Sequence, residues 1–200
     1  RCNAAMLLGR LGEPSAAPLL ARAMRDKDPR VQDQALEAMG LLDLPEARTQ
    51  LGFLANSGIG SQEAFAVAAL GQAARPAHLE LLRAKLTSAQ HIETRLAAAT
   101  GLGLLGERDG LELAIAALRF DRPRRGEPED DPQAQIIRVR LMAVRALAAI
   151  GDERALQPLE RMMLDSDDPR LQVASAGAIL RILRHAPAPS APATHARTEP

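Results

Sequence analysis

The sequence predicts an all-α fold, organised as a solenoid of repeated helical hairpins. The composition is the first indication, because Trp and Tyr are absent and Phe occurs only three times in 200 residues. Strands usually draw on aromatic and β-branched residues. Ala and Leu, which dominate this chain, lose little side-chain freedom in a helix. The second indication is an apolar pattern that recurs about every 31 residues, as stacked helical repeats require.

The clearest copy of this pattern lies in residues 139–152. Its apolar residues Val139, Ala143, Ala146 and Leu147 follow the i, i+4, i+7, i+8 spacing of one helical face. The position of Ala143 recurs along the chain at steps of 31, 31, 32, 45 and 32 residues, which predicts six first helices. The residues that share it are Ala4, Ala35, Ala66, Ala98, Ala143 and Ser175.

A break and a second helical stretch follow each of the first five copies. Gly and Asp suit the end of a helix and its turn, and Pro suits the first turn of the next helix. Each unit is therefore predicted to be a helical hairpin of about 31 residues. The predicted second helices span 14–24, 45–54, 76–86, 110–118 and 153–164, and a final unpaired helix spans 171–184.

Two nearly identical loops separate units, one at residues 26–31 and the other at 165–171. Asp28 and Asp168 each precede a proline there. Asp is a preferred N-cap, and Pro is favoured at the first helical position. We therefore expect both aspartates to cap the helices that follow.

The pattern resembles HEAT repeats of the type named after the phycobilisome lyases, over about residues 1–184. The resemblance is carried by Asp168-Pro169-Arg170-Leu171, by residues 143–152 and by Ala155-Leu156-Gln157-Pro158-Leu159. It implies a right-handed α–α superhelix, a HEAT-like solenoid of about five to six hairpins, occupying residues 1–185. Because unrelated proteins carry this repeat, it is specific for architecture rather than for function.

Two segments depart from the repeat. The 45-residue step places about 13 extra residues after Phe120, a charged insertion at 121–134 with a basic block followed by an acidic one. We expect an exposed loop, which either contacts a partner, with Arg124 and Arg125 as candidates, or is a tolerated insertion. The Pro- and Ala-rich tail at 186–200 is expected to be disordered.

Charge and hydropathy exclude several classes of partner. The 25 basic and 25 acidic residues cancel, which argues against nucleic acid, since its phosphates attract an excess of Lys and Arg. No apolar run of about 18 residues exists, so we expect no membrane insertion. The sole cysteine, Cys2, is expected to be a buried thiol. Arg1 opens the chain inside a helical pattern, so we expect further repeats upstream. The leading interpretation is part of a larger bacterial-type protein whose localisation the sequence leaves open, with the cytoplasm slightly favoured over export.

Enzymatic and cofactor motifs are missing or misplaced. The run 101–106 matches the letters of a dinucleotide-binding fingerprint, yet it closes a predicted helix instead of following a strand. No His pair has i, i+4 spacing and no His precedes Glu, unlike the iron-binding motifs of HEAT-type deoxyhypusine hydroxylases. The HEAT-like DNA glycosylases would need aromatic residues and a basic groove. We expect no enzyme, no cofactor and no metal, and we expect His78 on a solvated helix face.

The resemblance implies that second helices line a concave, protein-binding face. Carried over to this chain, it points to Arg22, Arg25, Arg83, Arg119 and Arg161, whose guanidinium groups suit the carboxylates of a partner protein. The same charges are also typical of an ordinary solvated helix face. The leading prediction is a non-enzymatic protein-interaction scaffold. The alternatives are a phycobilin-lyase-like subunit acting on a tetrapyrrole-binding protein, and a structural spacer in a larger protein.

Overall fold

The computed structural model describes residues 1–123 and 131–185, except for the side chains at 60, 61 and 185. These residues form eleven α-helices without a strand, so the predicted all-α solenoid is confirmed. The helices are α1 (Cys2–Leu11), α2 (Ala17–Ala23), α3 (Pro29–Leu41), α4 (Pro45–Ala55), α5 (Gly60–Gln72), α6 (Leu79–Ser88), α7 (Ile92–Leu104), α8 (Leu111–Ala117), α9 (Pro132–Ile150), α10 (Leu156–Asp165) and α11 (Pro169–His185).

The hairpins alternate first and second helices as the repeat predicts. The odd-numbered helices are the first helices, and α2, α4, α6, α8 and α10 are the second helices, three of which start with a 3₁₀ turn. Within the described residues α11 has no second helix after it. Each second helix packs against the first helix of the following hairpin. In four of these contacts the second helix contributes one fully buried leucine. These leucines are Leu20, Leu51, Leu82 and Leu159.

The first helices stack closely because small residues meet at their contacts. A Cβ added to Gly9 would lie 2.7 Å from Cα of Ala38 on the next first helix, and one added to Gly71 would lie 2.8 Å from Cα of Gly101. Both distances are shorter than carbon atoms tolerate. Glycine and alanine at these repeat positions therefore set the spacing between neighbouring first helices.

The aspartates of the two similar loops cap the helices that follow them, as the sequence predicts. Asp28 accepts a hydrogen bond of 3.1 Å from the backbone N–H of Arg30, and Asp168 accepts one of 2.9 Å from that of Arg170. Each arginine side chain also donates to the same carboxylate. These hydrogen bonds lower the pKa of both aspartates, because they stabilise the charged form. Both predicted N-caps are confirmed.

Ion pairs join the turns of successive hairpins. Arg108 of one turn lies 3.2 Å from Asp152 of the next, and Arg154 contacts both Asp152 at 3.0 Å and Glu112 of the preceding hairpin at 3.3 Å. Asp152 is buried, and the hydrogen bonds from the Arg154 side chain and backbone lower its pKa. The carboxylate thus stays ionised where it links two repeats.

The expected solvated position of His78 is wrong. His78 is buried, and its Nδ1 lies 3.0 Å from the carbonyl oxygen of Leu70. Its repeat position is occupied elsewhere by Ala16, Ala47 and Ala155, which are also buried. The imidazole therefore fills a core position and hydrogen-bonds to the backbone there. Cys2, expected to be buried, is only partly so.

Only part of the insertion after Phe120 belongs to the residues that the structure describes. Residues 124–130 of the predicted 121–134 loop, and the predicted disordered tail at 186–200, lie outside the described residues. The helix α9 already begins at Pro132, with Asp131 accepting a hydrogen bond from the backbone N–H of Ala134, so residues 132–134 are helical. The predicted loop boundary at residue 134 is therefore wrong, because Asp131 and Pro132 form the start of α9. Among the described helices, none has the length and hydropathy to cross a membrane.

Candidate functional site

The second helices present one continuous set of outward positions. Along each second helix and the one or two residues after it, three residues at i, i+4, i+7 spacing are exposed, and the repeat register makes these positions equivalent from hairpin to hairpin. We call this surface the second-helix face. Its residues are Pro18, Arg22 and Arg25; Thr49, Phe53 and Asn56; Glu80, Ala84 and Thr87; Glu112, Ala116 and Arg119; and Gln157, Arg161 and Leu164.

Four of the arginines predicted from the sequence lie on this face. Arg22 and Arg161 occupy one repeat position and Arg25 and Arg119 another, and all four are exposed. Within residues 1–123 and 131–185, none of them forms an ion pair. Their guanidinium groups, with five donors each, are consequently available to carboxylates of a partner. Arg124 and Arg125, also predicted, lie outside the described residues.

Arg83 differs from the other predicted arginines. It lies one residue off the face, and its guanidinium group contacts Glu107 at 3.1 Å and Asp109 at 3.2 Å in the following hairpin. The hydrogen bond that it donates to Asp109 raises its pKa further. Arg83 thus joins two repeats through carboxylates of its own chain, which compete with any partner for it.

Phe53 is the member of the face that sequence reasoning missed. Its ring is 75% exposed, although aromatic side chains are usually among the most buried. The repeat register contains the signal, because Phe53 occupies the position of Arg22 and Arg161. Aromatic and arginine side chains are both enriched at the centre of protein interfaces.

Grooves border the first two second helices. One, of about 610 Å³, lies between α2 and α4 and is lined by Pro18, Arg25 and Glu46 among others. Another, of about 810 Å³, lies on the first hairpin and has Arg22 and Arg25 at an otherwise largely apolar wall with Leu8 and Leu19. The face is therefore not flat here, and it combines apolar area with unpaired positive charge.

The glycine run at 101–106 has a packing role. It lies at the end of α7, as the sequence predicts. Gly101 abuts Gly71, and a Cβ on Gly103 would lie 2.6 Å from the backbone nitrogen of Ile150. These glycines admit neighbouring helices and leave no room for a phosphate. Within the described part of the chain, no three His, Cys, Asp or Glu side chains are grouped to hold a metal ion.

Stacked hairpins with one exposed face of second helices define an α-helical repeat protein. The family model of HEAT repeats matches residues 1–58 and 133–179, which is just over half of the 200 residues. The chain belongs to the HEAT repeat family. The helices α5 to α8, which lie between the matched regions, continue the same alternation. Comparison with curated proteins gives no match. HEAT repeats in general mediate interactions between proteins.

Proposed function

We propose that this protein is a non-enzymatic scaffold that binds another protein across the second-helix face. The observation that carries the proposal is the exposed stripe in which four arginines without an ion pair accompany Phe53. An exposed aromatic ring supplies apolar contact area at low entropic cost, and the surrounding guanidinium groups select carboxylates. This combination favours an acidic protein surface with apolar side chains at its centre.

The chemistry of the face also limits what it recognises. Glu80 and Glu112 interrupt the arginines, so a polyanion with evenly spaced charges would meet repulsion as well as attraction. A folded partner, or a peptide whose acidic and basic side chains alternate, can pair with both the arginines and the glutamates of the face. The lyase-like and spacer alternatives stay predictions, and each is separated from the scaffold by the experiment below.

A photo-crosslinking experiment in cells that express the protein tests the proposal. The substitution Phe53→p-benzoylphenylalanine places the crosslinker on the face, and the same substitution at Arg145, an exposed residue of α9, places it away from the second helices. We expect a protein adduct of defined mass from position 53 and none from position 145. Equal adducts from both positions, or none from position 53, would contradict the proposal.

Charge reversal on the second-helix face tests the same proposal, and charge reversal away from that face is its matched control. Arg22→Glu with Arg161→Glu should abolish the adduct at position 53, whereas Arg10→Glu with Arg184→Glu changes the net charge equally at exposed residues off the face and should leave the adduct unchanged. Arg83 is left intact because its substitution would also break contacts between repeats. A chromophore instead of a protein in the adduct would favour the lyase-like alternative, and no adduct would favour the spacer.

A further inference from the structure

A cavity between the second and third hairpins carries a separate inference. It has a volume of about 320 Å³ and lies where α2 and α4 end and α3 and α5 begin. The neighbouring first helices α3 and α5 touch less extensively than α5 and α7. Leu36, Leu54 and Phe65 contribute apolar walls. We call it the α3–α5 cavity, and because none of its lining residues belongs to the second-helix face, it goes beyond the proposed function of that face.

Four polar side chains line this cavity. Gln32 donates a hydrogen bond to the carbonyl oxygen of Asp26, and the other three stand at repeat positions that are mostly apolar in the rest of the chain. Asp33, Gln50 and Gln62 belong to three different helices. Asp33 stands where the other hairpins have Cys2, Ala64, Leu96, Leu141 and Val173; Gln50 stands where they have Leu19, Leu81, Leu113 and Pro158; and Gln62 stands where they have Val31, Thr94, Val139 and Leu171. The three replacements converge on one cavity and give part of its lining a polar character.

Three of the four polar side chains that line the cavity have no partner within the described residues. Asp33 forms no ion pair or side-chain hydrogen bond within the described residues, and the same is true of Gln50 and Gln62. Asp33 is accessible at the cavity mouth, yet burial by the packed walls raises its pKa. The walls remove part of the hydration shell of a carboxylate that has no partner of its own, so the cavity is chemically suited to a cation.

We propose that the α3–α5 cavity binds a guanidinium group, that of an arginine side chain in a partner polypeptide. A planar guanidinium offers five donors in a rigid fork, enough for the Asp33 carboxylate and the side-chain oxygens of Gln50 and Gln62. Phe65 provides an aromatic ring on which such a cation stacks. The aliphatic stem of the arginine packs on Leu36 and Leu54. The volume is at the lower end of ligand pockets and fits a single side chain.

Titration of the ¹⁵N-labelled chain with N-acetyl-L-argininamide tests this inference by NMR. The expected result is saturable, millimolar binding with shifts at the backbone amides of residues 32–36 and 62–65. N-acetyl-L-citrullinamide has the same shape without the charge and should produce no saturable shifts. The inference is overturned if the two probes behave alike, or if the shifts map elsewhere.

Variants link the binding to the named carboxylate. Asp33→Asn should weaken binding about tenfold, as expected for one charge-assisted hydrogen-bonded pair, and Asp167→Asn, at an exposed aspartate without an ion pair, should leave it unchanged. Gln62→Val introduces the residue that occupies this position at Val31 and Val139, so it should raise the melting temperature and reduce binding. Unaltered binding in Asp33→Asn would refute the site. Failure here leaves the crosslink at position 53 unaffected, so the two proposals fail separately.

Discussion

Substitution of Gly71 by alanine tests the close stacking of the first helices. In Gly71→Ala the new methyl carbon would lie 2.8 Å from Cα and 3.3 Å from the backbone nitrogen of Gly101. Both atoms belong to the backbone of α7, so no side-chain rotation relieves the clash. Carbon atoms pack at about 3.5–4.0 Å, so α5 and α7 must separate by about 1 Å.

The expected magnitude follows from two opposing effects. Overpacking of a tight contact costs about 1–3 kcal/mol, and alanine recovers up to about 1 kcal/mol of helix propensity relative to glycine. We expect a net loss of about 1 kcal/mol in the free energy of unfolding. For a chain of this size, that loss lowers the melting temperature by about 2–4 °C.

A glycine in open space serves as the matched control. A Cβ on Gly52, in the helix α4, would meet no heavy atom within 4 Å. Gly52→Ala therefore gains the propensity without the clash, and its melting temperature should rise by about 2–4 °C. Thermal unfolding followed by far-UV circular dichroism, with urea unfolding as a second measure, compares the two variants. If Gly71→Ala is as stable as Gly52→Ala, the close contact between α5 and α7 is refuted.

Three further predictions concern the site and the links between repeats. Phe53→Ala should weaken partner binding about tenfold or more by calorimetry without lowering stability, and Ile59→Ala, which removes another exposed apolar side chain, should have no effect on binding. Arg154 lowers the pKa of Asp152 below 3.8, so this carboxylate stabilises the fold above that pH and the contribution disappears as the pH falls through the lowered pKa. Asp152→Asn should therefore reduce stability at neutral pH and flatten its acid dependence in urea unfolding; an unchanged acid profile would contradict the link. Arg83→Met should lower stability slightly and spare partner binding, and a variant with normal stability and lost binding would return Arg83 to the site.

The sequence predicted the architecture because one repeat period determines both which residues are buried and how the first helices are spaced. The step of 32 residues from Ala66 to Ala98 also separates Gly71 from Gly103, which both form tight contacts between first helices, and glycine and proline mark the turns. The same register, followed position by position, would have placed His78 in the core, since its equivalents are three alanines and Gly110. The prediction went wrong there because a polar residue was judged by its type rather than by its repeat position.

The candidate site could be predicted only in part. Repeat equivalence placed Arg22 and Arg161 on one surface, because their positions differ from buried Leu20 and Leu159 by a fixed number of residues. It could not show that Arg83 is held by Asp109, since that pair depends on how far one side chain reaches into the next hairpin. The α3–α5 cavity likewise requires three helices to converge in space.

Hydrogen exchange on the complex with the protein captured at position 53 tests the central claim most directly. The second-helix face is proposed to bind the partner, so binding should slow exchange in α2, α4, α6, α8 and α10 while the first helices exchange as in the free chain. The Arg22→Glu, Arg161→Glu variant should show no such protection. Protection confined to the first helices, or unchanged in that variant, would contradict the account.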